Sequence, residues 1–167
     1  MNELFSVKDK VVVITGGTGV LGRCIAAYLA DEGAKVVILG RRQAEGDAIV
    51  KEITDRAGEA MFIAADVMNV EAVQAACDAV MASYGRVDAL LNAAGGNQAG
   101  ATIPPDKTFL DIDVEAFEKV LGVNLVGTVI PSQVFMRPMV AAGKGAIVNF
   151  SSMAAFRPLT RVMGYAA

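Results

Sequence analysis

Histidine is absent from this 167-residue chain, and its absence removes much of the usual catalytic repertoire. No Ser-His-Asp triad can be built, no imidazole can act as general base, and no zinc site can draw on a His ligand. The two cysteines, Cys24 and Cys77, are too few for a thiolate cage, so no metal site is expected. Both fall in helical patterns and read as reduced core residues of an intracellular, cytoplasmic protein. Acid-base chemistry must then rest on tyrosine, lysine or carboxylates.

An excess of positive charge is also missing. The net charge of −3 gives no electrostatic footprint for nucleic acid, and none is expected as a partner. The N-terminal stretch MNELFSVKDK is short and charged, unlike a secretory signal. The longest uncharged helical run, Val120 to Met136, carries Asn124, Pro131, Ser132 and Gln133. It therefore reads as a buried helix, and no membrane association is expected. Internal repeats and low-complexity segments are lacking too. One domain spanning residues 1–167 is expected, large enough to bury roughly 70% of its unfolded surface. A hydrophobic content of 54% suits strands covered on both faces by helices.

What is present is organised around Lys10 to Gly33. The apolar run Val11 to Ile14 reads as a buried parallel strand, followed by a glycine-rich turn from Thr15 to Gly22 and a helical pattern from Leu21 to Glu32. This is the opening of a dinucleotide-binding βαβ unit. Glycines let the backbone approach a pyrophosphate, which meets the free N–H groups and positive dipole end of the helix. Gly16, Thr18, Gly19, Val20 and Leu21 are the expected contacts. The spacing is T-G-x-x-G-x-x-G, with Val20 where T-G-x-x-x-G-x-G would place glycine.

Lys35 to Leu39 reads as the second strand. Gly40 stands where an acidic residue would bind the ribose 2′-OH of NAD, and Arg41 and Arg42 follow. Arginine at this place accommodates the 2′-phosphate of NADP; the alternative is that the two arginines begin a solvated helix. NADP is thus preferred over NAD. A charged helix running to Gly58 leads to a third strand, Ala60 to Ala65, ending in Asp66-Val67. Asn69 is the better placed cap for the helix from Val70 to Tyr84, which leaves Asp66 free to recognise adenine. Gly85 closes that helix.

Val87 to Leu91 reads as the fourth strand, followed by Asn92-Ala93-Ala94-Gly95-Gly96. Small residues here let a flat cofactor lie against the backbone, and the Asn92 amide can bridge neighbouring strand ends. Asn97 to Asp113 lacks periodicity and reads as a binding loop or lid. Val114 to Ala142 reads as a long helix with Pro131 and Pro138 within it, so a kink or local break is expected. Asn124 lies in its apolar middle, where a helix-helix hydrogen bond is one explanation. Ala146 to Phe150 is the fifth strand, with Ser151-Ser152 at its carboxyl end. Tyr165 follows Ser152 by thirteen residues.

The motifs TGGTGVLG, AADV around Asp66, NAAG at Asn92 to Gly95, VNLVGT around Asn124, and IVNFSS leading to Tyr165 resemble those of the short-chain dehydrogenase/reductase family, classical type. The resemblance covers the whole chain. Within the family it points to the D-mannonate (fructuronate) oxidoreductase and gluconate 5-dehydrogenase-like group. It implies a Rossmann-like, doubly wound parallel α/β sheet with helices on both faces, present here as its first five strands. It also implies NAD(P)-dependent interconversion of a secondary alcohol and a ketone, on a sugar acid or polyol, by a homo-oligomer.

In that resemblance Tyr165 is the acid-base residue, Ser152 hydrogen-bonds the substrate oxygen, and Asn124 holds a water in a proton relay. Ala93, Ala94, Gly95 and Val67 flank the cofactor. A sugar-acid carboxylate would look to Arg157 or Arg161 for a cation. The family motif Y-x-x-x-K places a lysine two positions beyond Ala167, and Lys144 is no evident substitute, so this polypeptide is expected to be inactive alone. Two rivals remain: a nucleotide-binding module without catalysis, and an extended-type sugar-nucleotide epimerase suggested by the glycine spacing.

Overall fold

The computed structural model describes residues 5–157 and 159–167. Five parallel strands, β1 (Val11–Thr15), β2 (Lys35–Gly40), β3 (Glu59–Ala64), β4 (Ala89–Asn92) and β5 (Ala146–Asn149), form one sheet in the order β3-β2-β1-β4-β5. The direction of winding reverses between β1 and β4. In such sheets the crevice outside the carboxyl ends at the reversal point is where ligands bind.

Alternation within the strands explains the two-sided core. Val11, Val13, Val37 and Leu39 face α3 (Val70–Tyr84) and α5 (Gly127–Ala141), where Val73, Cys77, Val80, Phe135 and Met139 complete one cluster. Val12, Ile14, Val36 and Ile38 face α1 (Val20–Asp31) and α2 (Gln43–Thr54), packing on Ala26, Ala30, Ile49 and Ile53. The central strands β1 and β2 thus need apolar residues on both faces, and so read as continuous runs, whereas the edge strands β3 and β5 are half-buried or exposed. The expected five-strand, doubly wound arrangement is what the chain forms.

Helix α3 has the bounds its caps dictate. Asn69 Oδ1 accepts from Ala72 N at 2.8 Å, and Gly85 ends the helix at φ 69°. Helix α5 runs through both Pro131 and Pro138, so the local break expected in the long helix does not fall at the prolines themselves. The irregularity lies earlier, where a π-helical turn, Gly122–Val126, separates α4 (Val114–Leu121) from α5. Hydroxyls near the first proline take up backbone carbonyls: Thr128 Oγ1 donates to Asn124 O at 3.0 Å and Ser132 Oγ to Thr128 O at 2.7 Å.

Two further expectations are corrected. Cys77 is buried, but Cys24 is exposed on the outer side of α1 and belongs to no core. The run Val120 to Met136 is only partly buried: Val120, Val134 and Phe135 face inward, whereas Leu125, Val129 and Met136 are exposed. By length and composition alone, Val114–Ala141 would suffice to cross a membrane. Its inward residues instead join the core of the domain.

At the opposite, amino-terminal edge of the sheet, Asp88 ties three strands together. Its Oδ2 accepts from Val11 N at 2.9 Å, its N–H donates to Val11 O, its C=O accepts from Ala146 N, and Arg86 pairs with its carboxylate. Burial pushes the Asp88 carboxyl up, but the Val11 N–H, Arg86 and the charge of Lys10 outweigh it and hold the group below its ordinary value. A folded pKa below the unfolded one stabilises the fold above the unfolded value, about 4, and the contribution is lost as pH falls through the lower folded value. Asp88→Ala should therefore cost about 1–3 kcal/mol in urea unfolding at neutral pH, the penalty for an orphaned buried N–H. It should also flatten the acid limb of the stability profile.

Candidate active site

Thr15 closes β1 with a fully buried hydroxyl whose oxygen accepts from Ala93 N and Ala94 N, both at 3.1 Å. This draws the segment after β4 against the glycine turn after β1. Gly16, at φ 66°, sits so close that an added Cβ would lie 2.7 Å from Ala93 O and from Ala94 Cα. Gly22 is equally confined, since a Cβ added there would lie 2.5 Å from Gly16 O. The turn is built on these two glycines; Val20, the departure from the commoner spacing, is 84% exposed at the start of α1 and disturbs nothing.

The N-terminus of α1 is open. Gly19 supplies no side-chain cap, and the first intrahelical bond runs from Arg23 N to Gly19 O, leaving the first-turn N–H groups for an anion. Beside it lies a cavity of about 240 Å³ formed by the turn, Leu39 to Arg42, Ala65 to Val67 and Val123. A second cavity, about 330 Å³, contains Leu21, Asn124, Ser152 and Tyr165. Ala93, Ala94 and Gly95 line both cavities, which therefore adjoin. Two chambers meeting over small residues, with an uncapped helix end alongside, fit an extended dinucleotide.

The expected site residues divide as follows. Gly16, Thr18, Gly19, Arg41, Arg42, Asp66, Val67, Ala93, Ala94 and Gly95 line the first chamber. Asp66 is not wholly free, because its Oδ1 accepts from Met68 N at 2.9 Å. Val20 and Asn92 line neither chamber. Asn92 is 2% exposed, and its Nδ2 donates to Asn149 Oδ1 and Ser132 Oγ, both at 2.9 Å. Its work is the expected bridging of strand ends, joining β4 to β5 and α5; it does not contact the cleft.

In the second chamber, Ser152 caps a short 3₁₀ turn, Met153–Ala155, by accepting from Ala154 N at 3.2 Å. Tyr165 rides on α6 (Met163–Ala166) and packs against Ala101, Ala116 and Val120. Asn124 projects from the π turn, and its amide clasps Gly96: Oδ1 accepts from Gly96 N at 2.8 Å and Nδ2 donates to Gly96 O at 3.1 Å. The helix-helix bond suggested by sequence is thus a helix-loop bond that shapes the chamber wall.

Neither Arg157 nor Arg161 lines this chamber. Arg161 Nη1 donates to Pro104 O at 2.6 Å and Ile103 O at 3.4 Å, fixing the long loop. Among the described residues no lysine or arginine lines the chamber, and Lys144 lies in a separate cavity with Met136, Met139 and Ile147. The loop from Asn97 to Asp113 contains two 3₁₀ turns, Ala99–Ala101 and Phe109–Asp111.

The profile of the short chain dehydrogenase family matches residues 10–167. The chain belongs to that family. Among its relatives, the oxidoreductase UxuB of Bacillus subtilis, itself uncharacterized, is 40% identical over 166 residues, covering 95% of this chain and 60% of that protein. A Haemophilus influenzae structure with bound NAD, provisionally assigned as a D-mannonate oxidoreductase, superposes with a TM-score of 0.90 at 32% identity, over 96% of this chain and 61% of that one. A metagenomic short-chain oxidoreductase solved with NADP gives 0.85 at 31% identity, over 96% and 70%. This short-chain dehydrogenase sequence spans about 60% of the length of the UxuB relative. Nicotinamide cofactors of both kinds occur among these relatives, and either would meet the same glycine turn here.

Proposed function

We propose that these residues form the cofactor-binding and catalytic portion of an NADP-preferring dehydrogenase that interconverts a secondary alcohol and a ketone on a polyol or sugar acid. The observation that carries this reading is the shared wall Ala93 to Gly95, which joins the chamber of Arg41 and Arg42 to that of Ser152 and Tyr165. A dinucleotide lying across it would bring its nicotinamide end to the two hydroxyl side chains.

The first chamber recognises the nucleotide. Gly40 offers no carboxylate to a 2′-OH, and Arg41 and Arg42 offer positive charge to a 2′-phosphate. The uncapped end of α1 takes the pyrophosphate, and Asp66 at the end of β3 lies within reach of the adenine side. In the second chamber, Ser152 Oγ donates to the substrate oxygen, and Tyr165 exchanges a proton with it as charge develops there. Asn124, engaged by Gly96, keeps the loop wall in place. Bound nicotinamide supplies the hydride acceptor or donor.

The neutral lining of the second chamber supports a second reading, nucleotide binding without turnover by these 167 residues. A tyrosine needs nearby positive charge to lose its proton near neutrality, and among the described residues lining its chamber there is no lysine or arginine. One experiment separates the readings: the full-length protein is assayed with NADP or NAD against a panel of alditols and aldonates. Oxidation of a member of the panel, with kcat/KM at least about tenfold higher for NADP, is expected from a charge-assisted arginine-phosphate contact. NADPH binding with no turnover of any member would favour the second reading, and a preference for NAD would remove the role given to the arginines.

A further inference from the structure

The second strand ends where an added side chain would crowd the side chain of Thr18. A Cβ on Gly40 would lie 2.9 Å from Thr18 Oγ1 and 3.0 Å from Thr18 Cγ2, whereas the next neighbour, Phe62 Cε2, stands at an ordinary 3.5 Å. The backbone at Gly40 is not in the left-handed region, so the demand for glycine is steric and comes from Thr18. Position 40 is also the place from which an acidic side chain reaches the ribose 2′-OH in dinucleotide folds. Thr18 acts on the other side of the same choice. Its carbonyl accepts from Arg42 Nη2 at 3.4 Å, while Arg42 Nη1 pairs with Glu45 at 3.3 Å. Thr18, Gly40, Arg41 and Arg42 line one chamber.

We propose that Thr18 is a specificity-determining residue for the cofactor. Its γ atoms keep a carboxylate away from the end of β2, and its carbonyl steers Arg42 across that edge, so the chamber accepts a 2′-phosphate and makes no bond to a bare 2′-OH. The inference rests on the NADP reading and goes beyond it by naming the residue that enforces the choice.

The test measures dissociation constants for NADPH and NADH by nicotinamide fluorescence, together with Tm, on the full-length protein and on Thr18→Ala, Gly40→Asp and the double variant. Gly40→Asp alone should lower Tm and weaken both cofactors. Adding Thr18→Ala should restore Tm and tighten NADH binding at least about tenfold relative to Gly40→Asp, one charge-assisted hydrogen bond's worth, with NADPH bound more weakly than by the wild type. Equal NADH affinity in the single and double variants, or a Tm loss that Thr18→Ala does not relieve, would overturn the inference. Should the aspartate variants not fold, Gly40→Ala in the wild-type and Thr18→Ala backgrounds gives the same comparison: a larger Tm drop with threonine present supports the contact, and equal drops overturn it. Tighter NADH than NADPH binding by the wild type would instead overturn the NADP reading, and with it the cofactor choice given to Thr18, even with the steric coupling intact.

Discussion

Tyr165→Phe in the full-length protein should lower kcat for alcohol oxidation by about 10²–10⁴-fold, the usual contribution of a positioned acid-base group, with NADPH affinity unchanged. The expectation follows from where the ring sits. Tyr165 packs on Ala101, Ala116 and Val120, and phenylalanine keeps each of those contacts. Only the hydroxyl is removed, from a residue that lines the chamber of Ser152. Tyr165 is also a cleaner target than Ser152, whose Oγ accepts from Ala154 N and caps the turn after β5. Loss of that cap would shift the chamber floor and mix structure with chemistry. A Tyr165→Phe enzyme with wild-type kcat, shown to bind NADPH normally, would remove tyrosine from the proposed proton transfer.

The features legible in the sequence were those set by local physics. Strands buried on both sides, as β1 and β2 are, need uninterrupted apolar runs, and all five strands stand within a residue or two of where apolar runs lie. Helix α3 was bounded by Asn69 and Gly85 because a side-chain cap and a left-handed glycine act on their own neighbours. The break expected within the long helix lies ahead of both prolines, at Gly122–Val126, where Asn124 is held by Gly96 from the loop after β4. That bond joins residues 28 apart, and no local pattern announces it.

The site residues divide along the same line. The glycine turn, the arginines after β2 and the small residues after β4 owe their place to strand ends, so their meeting at one sheet edge follows from the winding alone. Arg161 could not be assigned that way, and Asn92 was legible as a bridge between strand ends but not as a residue outside the cleft. Both carry groups suited to a ligand, and both are engaged by backbone or by other strands: Arg161 by Pro104, Asn92 by Asn149 and Ser132. Cys24 fell on a helical pattern yet faces outward, because the inward stripe of α1 is made of Gly22, Ala26 and Ala30. The small size of that stripe, needed for close approach to the sheet, moved the helix's inner face away from the cysteine.

Gly16→Ala should cause the largest combined loss of stability and cofactor binding, and Gly143→Ala isolates the reason. Both glycines have left-handed backbones, at φ 66° and 67°, so an alanine at either carries the conformational penalty of about 1–2 kcal/mol. Around Gly143 nothing lies within 4 Å of the added Cβ. Around Gly16 the Cβ would meet Ala93 O and Ala94 Cα at 2.7 Å and Ala94 N at 2.8 Å. These are backbone atoms held by Thr15 Oγ1, and no rotamer change relieves them. Overpacking of this kind adds about 1–3 kcal/mol, so Gly16→Ala should lower Tm by roughly 4–20 °C for a chain of this size. Because relief requires the turn and the Ala93–Ala94 wall to part, NADPH affinity should fall at least about tenfold, as one displaced anion contact would give. Gly143→Ala should show the smaller Tm loss with NADPH affinity intact. Equal effects in the two variants would mean that left-handed geometry alone, and not close approach across the cleft, is what Gly16 provides.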